Sequence, residues 1–353
     1  MSEEYFTNRV DRYMSFVNGG GGLVDFYAEL CDILCKYAVK CDKAMLCDGS
    51  NLPSLFENEA ARKLGLEASL VRLFNGNNRD SISNSKHATN PVAYAVPTCQ
   101  LPKSFLKRTL NFHSDATITR NLLRAALDHE SSSSVRLSSA YLNLTPSLLS
   151  ELQKFGRIVT DDKNDNSSCS DGSVYILTAG TISHGFAPKR GTASKPNRFV
   201  DKIKNSIPDA FMTLVKKVAA EIIARGGKVL MYERPGWTFH AKGVWITTDE
   251  QSNIRPVHRE LIRDSSMLAS TIIGSGNYGA RSEDLDVEIN LVIVFNDATS
   301  REEKVASSKV KDLVAKEWND MCRHSNELTN VSQPINTGSK VMQVAIGFLR
   351  RFL

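Results

Sequence analysis

His240 and Lys242, two residues suited to phosphoryl transfer, stand two positions apart in the segment 237–245. On a β-strand, residues two apart project from the same face, so we expect the imidazole and the ammonium to lie side by side. An imidazole can attack phosphorus or shuttle a proton, and an ammonium can hold a non-bridging phosphate oxygen. Alone the pair is a weak signal, because this spacing occurs by chance in many proteins.

A glycine-rich segment further along the chain strengthens this interpretation. Ser275 and Asn277 follow the apolar residues 270–273 and can donate hydrogen bonds to phosphate oxygens. Glu288 lies eleven residues after Asn277, at the start of another apolar run, and can accept a proton from the second nitrogen of a histidine. We expect these residues to converge at one edge of a sheet, with Glu288 within hydrogen-bond reach of the His240 ring.

The same glycines also match a dinucleotide-binding pattern, since Gly274, Gly276 and Gly279 have the Gly-x-Gly-x-x-Gly spacing. Only residues 280–285 separate the last glycine from the next apolar run. That gap is too short for the crossover between parallel strands which such a site requires. The spacing therefore argues against a nicotinamide cofactor.

Other candidates for the site are weaker. Arg234 and Arg281 flank the two motifs, and a guanidinium matches phosphate geometry, so both are candidates for binding substrate phosphate. The remaining histidines have no partner at motif spacing and are assigned to none of these roles. The cysteines lack the paired spacing of zinc sites, and we expect no metal and no cofactor.

Alternating apolar and amphipathic runs must position these residues. We predict strands over 135–142, 174–178, 228–232, 239–246, 268–273 and 287–295, and helices over 146–155, 197–224 and about 299–325. Such alternation indicates an α/β sandwich with a central sheet. The serine run 131–134 is predicted to be a surface turn.

A polar, irregular stretch divides the chain. We therefore expect a first unit over 1–75, a linker over 76–91, a second unit over 92–328 and an amphipathic C-terminal helix over 339–353. That helix has two interpretations, a helix docked on the core or an interfacial membrane helix. The net charge of +5 suits an anionic substrate or membrane surface and does not by itself imply nucleic acid. No apolar run is long enough to span a membrane.

The order of these motifs resembles the phospholipase D superfamily, and the segment Trp-Thr-Phe-His-Ala-Lys-Gly at residues 237–243 is similar to the eukaryotic phosphatidylglycerophosphate synthases. Further similarity lies in Tyr-Phe-Thr-Asn-Arg at 5–9, Tyr-Leu-Asn-Leu-Thr at 141–145 and the terminal basic-apolar helix. One departure is Thr247, which stands where the superfamily has an acidic residue; Asp249 follows two positions later.

This resemblance implies a duplicated phospholipase D-like sandwich of mixed sheets flanked by helices, with its first half incomplete in this chain. It implies transfer of the phosphatidyl group of CDP-diacylglycerol to glycerol 3-phosphate through a phosphohistidine, in a mitochondrion and at an anionic membrane surface, with no nucleic acid as partner. No targeting segment is recognised in the first eleven residues.

In the superfamily each half supplies one His-x-Lys motif, whereas this chain contains one. Asp11 would correspond in the first half to Glu288 in the second, because it would lie eleven residues after an asparagine just before Met1. We therefore expect this chain alone to be inactive. Two alternatives stay open, an inert fragment that binds lipid or a partner and a phospholipase D-type phosphodiesterase or nuclease.

Overall fold

The computed structural model of the protein describes residues 8–12, 14, 21–37, 64–66, 68–74, 91–102, 114–128, 132–155, 173–185, 199–249, 260–329, 331 and 340–352. The chain divides into two compact units. The larger contains Met1–Tyr13, Asn90–Leu101 and His113–Leu353, and the smaller contains Met14–Thr89 and Pro102–Phe112.

The larger unit is built on a mixed eight-stranded sheet, which confirms the predicted α/β class. A separate pair of strands, β1 (Arg9–Val10) and β6 (Thr238–Phe239), lies outside that sheet. The eight strands are β2 (Ala93–Gln100), β3 (Ser132–Ser139), β4 (Ser173–Ala179), β5 (Lys228–Tyr232), β7 (Gly243–Asp249), β8 (Leu268–Gly274), β9 (Glu288–Phe295) and β10 (Ser325–Glu327). Their order across the sheet is β10-β5-β4-β3-β7-β8-β9-β2.

The direction of the strands decides between the two interpretations of the glycine pattern. Strands β3, β4 and β5 are parallel, whereas β7, β8 and β9 form an antiparallel meander. Residues 274–279 therefore connect two antiparallel strands. A dinucleotide-binding loop joins a strand to the helix of a parallel crossover, so that interpretation is excluded.

Helices cover the sheet and close the core. The larger unit contains α2 (Asp115–Asp128), α3 (Pro146–Gln153), α4 (Phe199–Ile223), α5 (Ala280–Asp284), α6 (Arg301–Cys322) and α7 (Lys340–Phe352), while α1 (Gly21–Tyr37) lies in the smaller unit. Thr145 caps α3, with Pro146 in its first turn, and Ser300 with Glu303 forms a capping box at α6. These sequence signals explain why both helices begin where they do.

The two faces of the sheet bury different sets of side chains. On β7, Val244 and Ile246 belong to a core cluster that also contains residues of α2, α3, α4 and α7. Trp245 alternates with them and meets Trp318 of α6 with ring centroids 4.9 Å apart. Helix α7 contributes Met342, Ala345 and Leu349 to the core cluster, as expected for a docked helix.

The smaller unit has its own contacts. The rings of Phe26 on α1 and Phe74, in the helical residues 68–74, meet edge to face at 5.1 Å. The hydroxyl groups of Tyr37 and Ser69 lie 3.3 Å apart. Thus α1 and residues 68–74 form a helical contact within this unit.

Two local predictions are wrong. Ser132, Ser133 and Ser134 are part of β3 rather than a surface turn, because they pair with β7 at Asp249, Thr248 and Thr247. The run 239–246 is not one strand, since residues 240–242 separate β6 from β7. Among the described helices, none has the length and apolar character needed to cross a bilayer.

Candidate active site

The histidine segment is joined by a strand from the N-terminal end of the described chain. Strand β1 pairs in parallel with β6, so that Val10 lies opposite Phe239. The N–H of Thr238 donates to the carbonyl of Asn8, and that of His240 donates to the carbonyl of Val10, both at 2.8 Å. This pairing brings Asp11 to His240, 229 residues away in sequence.

A carboxylate orients the His240 ring. Nδ1 of His240 lies 2.9 Å from Oδ1 of Asp11, and the other oxygen of Asp11 pairs with Nε of Arg9, also at 2.9 Å. An ionised carboxylate can only accept, so Nδ1 carries the proton of this bond and Nε2 keeps its lone pair. The His240 side chain is 26% exposed, which leaves the ring partly accessible to solvent.

Lys242 lies beside this ring, as the spacing predicts. Its Nζ is 2.9 Å from Nε2 and 2.7 Å from Nδ1 of His240, and it donates to the His240 carbonyl at 2.7 Å. With the proton of Nδ1 directed at Asp11, Nε2 is the acceptor for the lysine. The two side chains meet although residues 240–242 are not on a strand.

Burial tunes both groups for chemistry near neutral pH. Burial lowers the pKa of His240 below its ordinary value, while the Asp11 carboxylate acts in the opposite direction. Burial also lowers the pKa of Lys242 to about 7, again opposed by Asp11. The imidazole is thus neutral at pH 7, and a bound anion would favour the charged form of the lysine.

The glycine-rich loop is tied to the same end of the sheet through β3. Ser138 Oγ donates to the carbonyl of Ala241 at 2.9 Å, and Ser139 Oγ donates to the carbonyl of Asn277 at 2.6 Å. Oδ1 of Asn277 has no hydrogen-bond partner among the described residues. Ser275 is exposed, and its hydroxyl meets the backbone N–H of Ile289 at 3.1 Å.

Glu288 does not orient His240, so that prediction is wrong. It is 7% exposed and accepts a hydrogen bond from Ser282 at 2.9 Å, while Ser282 also accepts from the N–H of Asn277 at 3.2 Å. Its negative charge still acts on Lys242, where it opposes the lowering of the pKa by burial. Asp11 occupies the position at Nδ1 that we had assigned to Glu288.

The two candidate arginines make contacts outside the His240–Lys242 pair. The guanidinium of Arg234 lies 4.0 Å from the centroid of the Trp237 ring, and Arg281 forms an ion pair with Asp286 at 2.9 Å. Burial raises the pKa of Tyr141, and the charge of Arg281 opposes that shift. Arg281 therefore lies close enough to influence Tyr141. Within the described part of the chain, Arg234 makes no contact with the histidine.

Sequence reasoning assigned no role to Arg9 and Tyr141. Arg9 stands two positions before Asp11 and shares its face of the extended segment, so the alternation of strand side chains was an available signal. Tyr141 meets the His240 ring edge-on, with centroids 6.5 Å apart. It lies two positions after the end of β3, and nothing local in its sequence points to the histidine.

A small cleft lies against the glycine-rich loop. Its lining is polar and charged at several positions and includes Gln100, Asp115, Arg120, Tyr278, Glu283 and Glu288. Neither His240 nor Lys242 lines it.

Comparison with known proteins identifies similar phosphatidyltransferases. No family model matches the sequence. The chain is 22% identical over 369 residues to a CDP-diacylglycerol–glycerol-3-phosphate 3-phosphatidyltransferase of Saccharomyces pastorianus, covering 98% of this chain and 61% of that protein. It is 25% identical over 322 residues to the mitochondrial protein of that name from Homo sapiens, covering 83% of this chain and 48% of that protein. The chain thus spans about half to three-fifths of these relatives.

A solved structure supports the fold. The crystal structure of phosphatidylserine synthase from Haemophilus influenzae Rd KW20 superposes with a TM-score of 0.52, at 13% identity over 92% of this chain and 61% of that one. At that identity the likeness concerns the fold alone. It agrees with the α/β class that the sequence predicts.

Proposed function

We propose that the protein transfers the phosphatidyl group of CDP-diacylglycerol to glycerol 3-phosphate, giving phosphatidylglycerophosphate and CMP. The observation that carries this proposal is the contact of Asp11, His240 and Lys242, which unites an oriented imidazole with a buried ammonium. Its support from outside the structure is the similarity to phosphatidyltransferases over most of the chain.

His240 has two possible roles, and its geometry suits both. As nucleophile, Nε2 forms a bond to the phosphorus of the phosphatidyl group while the bond from that phosphorus to the CMP oxygen breaks. The hydroxyl of glycerol 3-phosphate then forms a bond to the same phosphorus, and the bond to nitrogen breaks. As acid and base, His240 instead gives a proton to the leaving CMP and removes one from the incoming hydroxyl.

The other residues have supporting roles in this proposal. Lys242 holds a non-bridging phosphate oxygen while negative charge develops during transfer. Ser275 and Asn277 donate hydrogen bonds to phosphate from the glycine-rich loop, and Arg281 supplies a cation near Tyr141. The exposed hydroxyl of Ser275 supports its part in this assignment. Arg234 is the weakest candidate, because its guanidinium lies over Trp237.

A second histidine is required for the complete cycle, since one imidazole cannot be both nucleophile and acid. We propose that residues 1–75 belong to a first phospholipase D-like half and residues 92–328 to a second, with 76–91 as linker. The delivery of Asp11 to His240 by β1, a strand outside the main sheet, supports a site shared between halves.

The substrate places the protein at a membrane. Because CDP-diacylglycerol is a lipid, we propose peripheral contact with an anionic membrane surface, and we expect no role for nucleic acid. We also propose a mitochondrial location, on the strength of the name of the human relative.

The test measures CMP release that depends on glycerol 3-phosphate. It is run on the 353-residue chain and on the natural product of its gene. Each is compared with its His240→Ala variant and with a control variant, His324→Ala, which changes an exposed histidine outside the site. We expect the gene product to be active, His240→Ala to reduce the rate by about 10²- to 10⁴-fold, and His324→Ala to have little effect.

The outcomes separate the parts of the proposal. Activity of the gene product without activity of the 353-residue chain would show that the second histidine lies outside this sequence. Equal rates for wild type and His240→Ala would remove His240 from the reaction. A gene product that hydrolyses phosphodiesters without using glycerol 3-phosphate would replace the transferase by a phosphodiesterase.

A further inference from the structure

Arg12 follows Asp11 directly and is buried beneath the site. Its side chain is 1% exposed, although arginine is rarely buried without several partners. The segment before it is held weakly by regular structure, since β1 contains only two residues. Besides the short pairing of β1 with β6, the contacts of Arg12 can hold the segment that contains Asp11.

The guanidinium of Arg12 joins three parts of the site framework. Nη1 donates to the carbonyl of Ile272 on β8 at 2.5 Å and to the carbonyl of Lys242 at 3.4 Å. Nη2 donates to the hydroxyl of Thr271 at 3.3 Å and pairs with Glu317 of α6 at 2.8 Å. These contacts connect the lysine of the site with the strand that leads into the glycine-rich loop.

Two further features fit this placement of the guanidinium. It lies over Trp245, with Cζ 3.9 Å from the ring centroid, which suits a planar cation on an aromatic face. Beside it is Gly243, where an added Cβ would come within 1.8 Å of Nη1 and 2.5 Å of the Ile272 carbonyl. A glycine after Lys242 thus leaves the space that the guanidinium occupies.

We propose that Arg12 is a positioning residue, which holds Asp11 against His240 and fixes the backbone of Lys242 from below the site. The importance of this role for catalysis rests on the proposed function. The placement of Asp11 and Lys242 by Arg12 does not depend on which reaction the protein catalyses. A lysine would keep the charge and lose the planar fork that reaches the Ile272 carbonyl, the Thr271 hydroxyl and Glu317 together.

The test follows the protonation of His240 by NMR with histidine labelled in the ring, its signal assigned by loss in His240→Ala. The groups that act on this ring are Asp11 and Arg9 of the N-terminal segment, Lys242 and, edge-on, Tyr141. Because Asp11 raises the pKa of His240, Asp11→Asn should lower the midpoint of the titration. We expect Arg12→Met to move it in the same direction by most of the same amount.

Arg136 provides a matched control. It is also a buried arginine, 4% exposed, which donates to the carbonyls of Glu260 and Leu261 and to the hydroxyl of Thr247. Arg136→Met should lose stability without moving the His240 midpoint. If Arg12→Met does not fold, Gly243→Ala tests the same idea, because it displaces the guanidinium and keeps its charge.

The activity readout separates this inference from the proposed function. In the natural gene product, Arg12→Met and Gly243→Ala should lower kcat by about 10²-fold with a smaller change in KM, as expected for misplaced catalytic groups. An unchanged His240 midpoint in both variants, with a shift in Asp11→Asn, would overturn the positioning role. Shifted midpoints in a protein without CMP release would leave Arg12 in that role and contradict the transferase.

Discussion

Asp115 offers the most direct test of the electrostatics around the glycine-rich loop. It is 5% exposed at the start of α2, accepts a hydrogen bond from Thr98 at 3.0 Å and contacts the Nδ2 of Asn290. Asn290 in turn accepts from the N–H of Gly276 at 3.4 Å, within the loop that contains Asn277. The ionisation of Asp115 is therefore coupled to the framework of the site.

The magnitude follows from its pKa. Burial raises the pKa of Asp115 from 3.8 to about 6, against the hydrogen bonds from Thr98 and Asn290. Between about pH 4 and 6 the folded state consequently binds more protons than the unfolded state, so stability falls as pH rises through this window. The difference corresponds to about 3 kcal/mol, at about 1.4 kcal/mol for each pH unit.

Asp115→Asn removes this dependence while keeping the size of the side chain and an oxygen that can accept from Asn290. Relative to the variant, the wild type should lose about 2 kcal/mol of unfolding free energy between pH 4 and pH 7, most of the total difference. Urea unfolding followed by the fluorescence of the buried Trp245 and Trp318 measures both proteins across this range. The control is Asp209→Asn, an exposed position on α4.

Two results would contradict this prediction for Asp115. A stability difference that stays constant from pH 4 to pH 7 would mean that burial does not raise the pKa of Asp115. A difference that changes in the opposite direction would mean that the N-terminus of α2 stabilises the carboxylate more than burial penalises it.

Three further predictions concern single residues. Ser282→Ala should cost about 1–3 kcal/mol in urea unfolding, because the buried Glu288 loses its hydroxyl donor; no loss would mean that water replaces it. In the active gene product kcat/KM should fall above a midpoint near pH 7 as Lys242 loses its proton, and Lys242→Arg should abolish that fall. Gly274→Ala should cost about 1–3 kcal/mol or more, because its Cβ would lie 2.4 Å from a backbone oxygen of β9, whereas Gly347→Ala on α7 should be neutral or stabilising.

The sequence predicts the elements of the larger unit well where their periodicity is undisturbed. The predicted strand 228–232 coincides with β5, and the helix predicted over 197–224 corresponds to α4 despite its internal Pro208. The prediction of a turn fails at 132–134, because serine has no strong preference for a strand and the pairing of these residues with β7 decides the structure there.

The contact of His240 with Lys242 was predicted for a reason that is only partly correct. The spacing brings the two side chains together, but they meet in the connection between β6 and β7 rather than on one strand. The hydroxyl of Ser138 holds this connection through the carbonyl of Ala241. The contact of Ser138 with Ala241 joins segments 103 residues apart, and it leaves no periodic signal in the sequence.

The error at Glu288 has a physical origin. Its spacing from Asn277 places it correctly at the start of β9, where it is buried and acts on Lys242 through its charge. The partner of the His240 ring depends instead on the docking of β1 against β6, which is a tertiary contact across 229 residues. Local spacing therefore locates a carboxylate near the site. The tertiary docking of β1, which we propose that Arg12 holds in place, brings Asp11 rather than Glu288 to the ring.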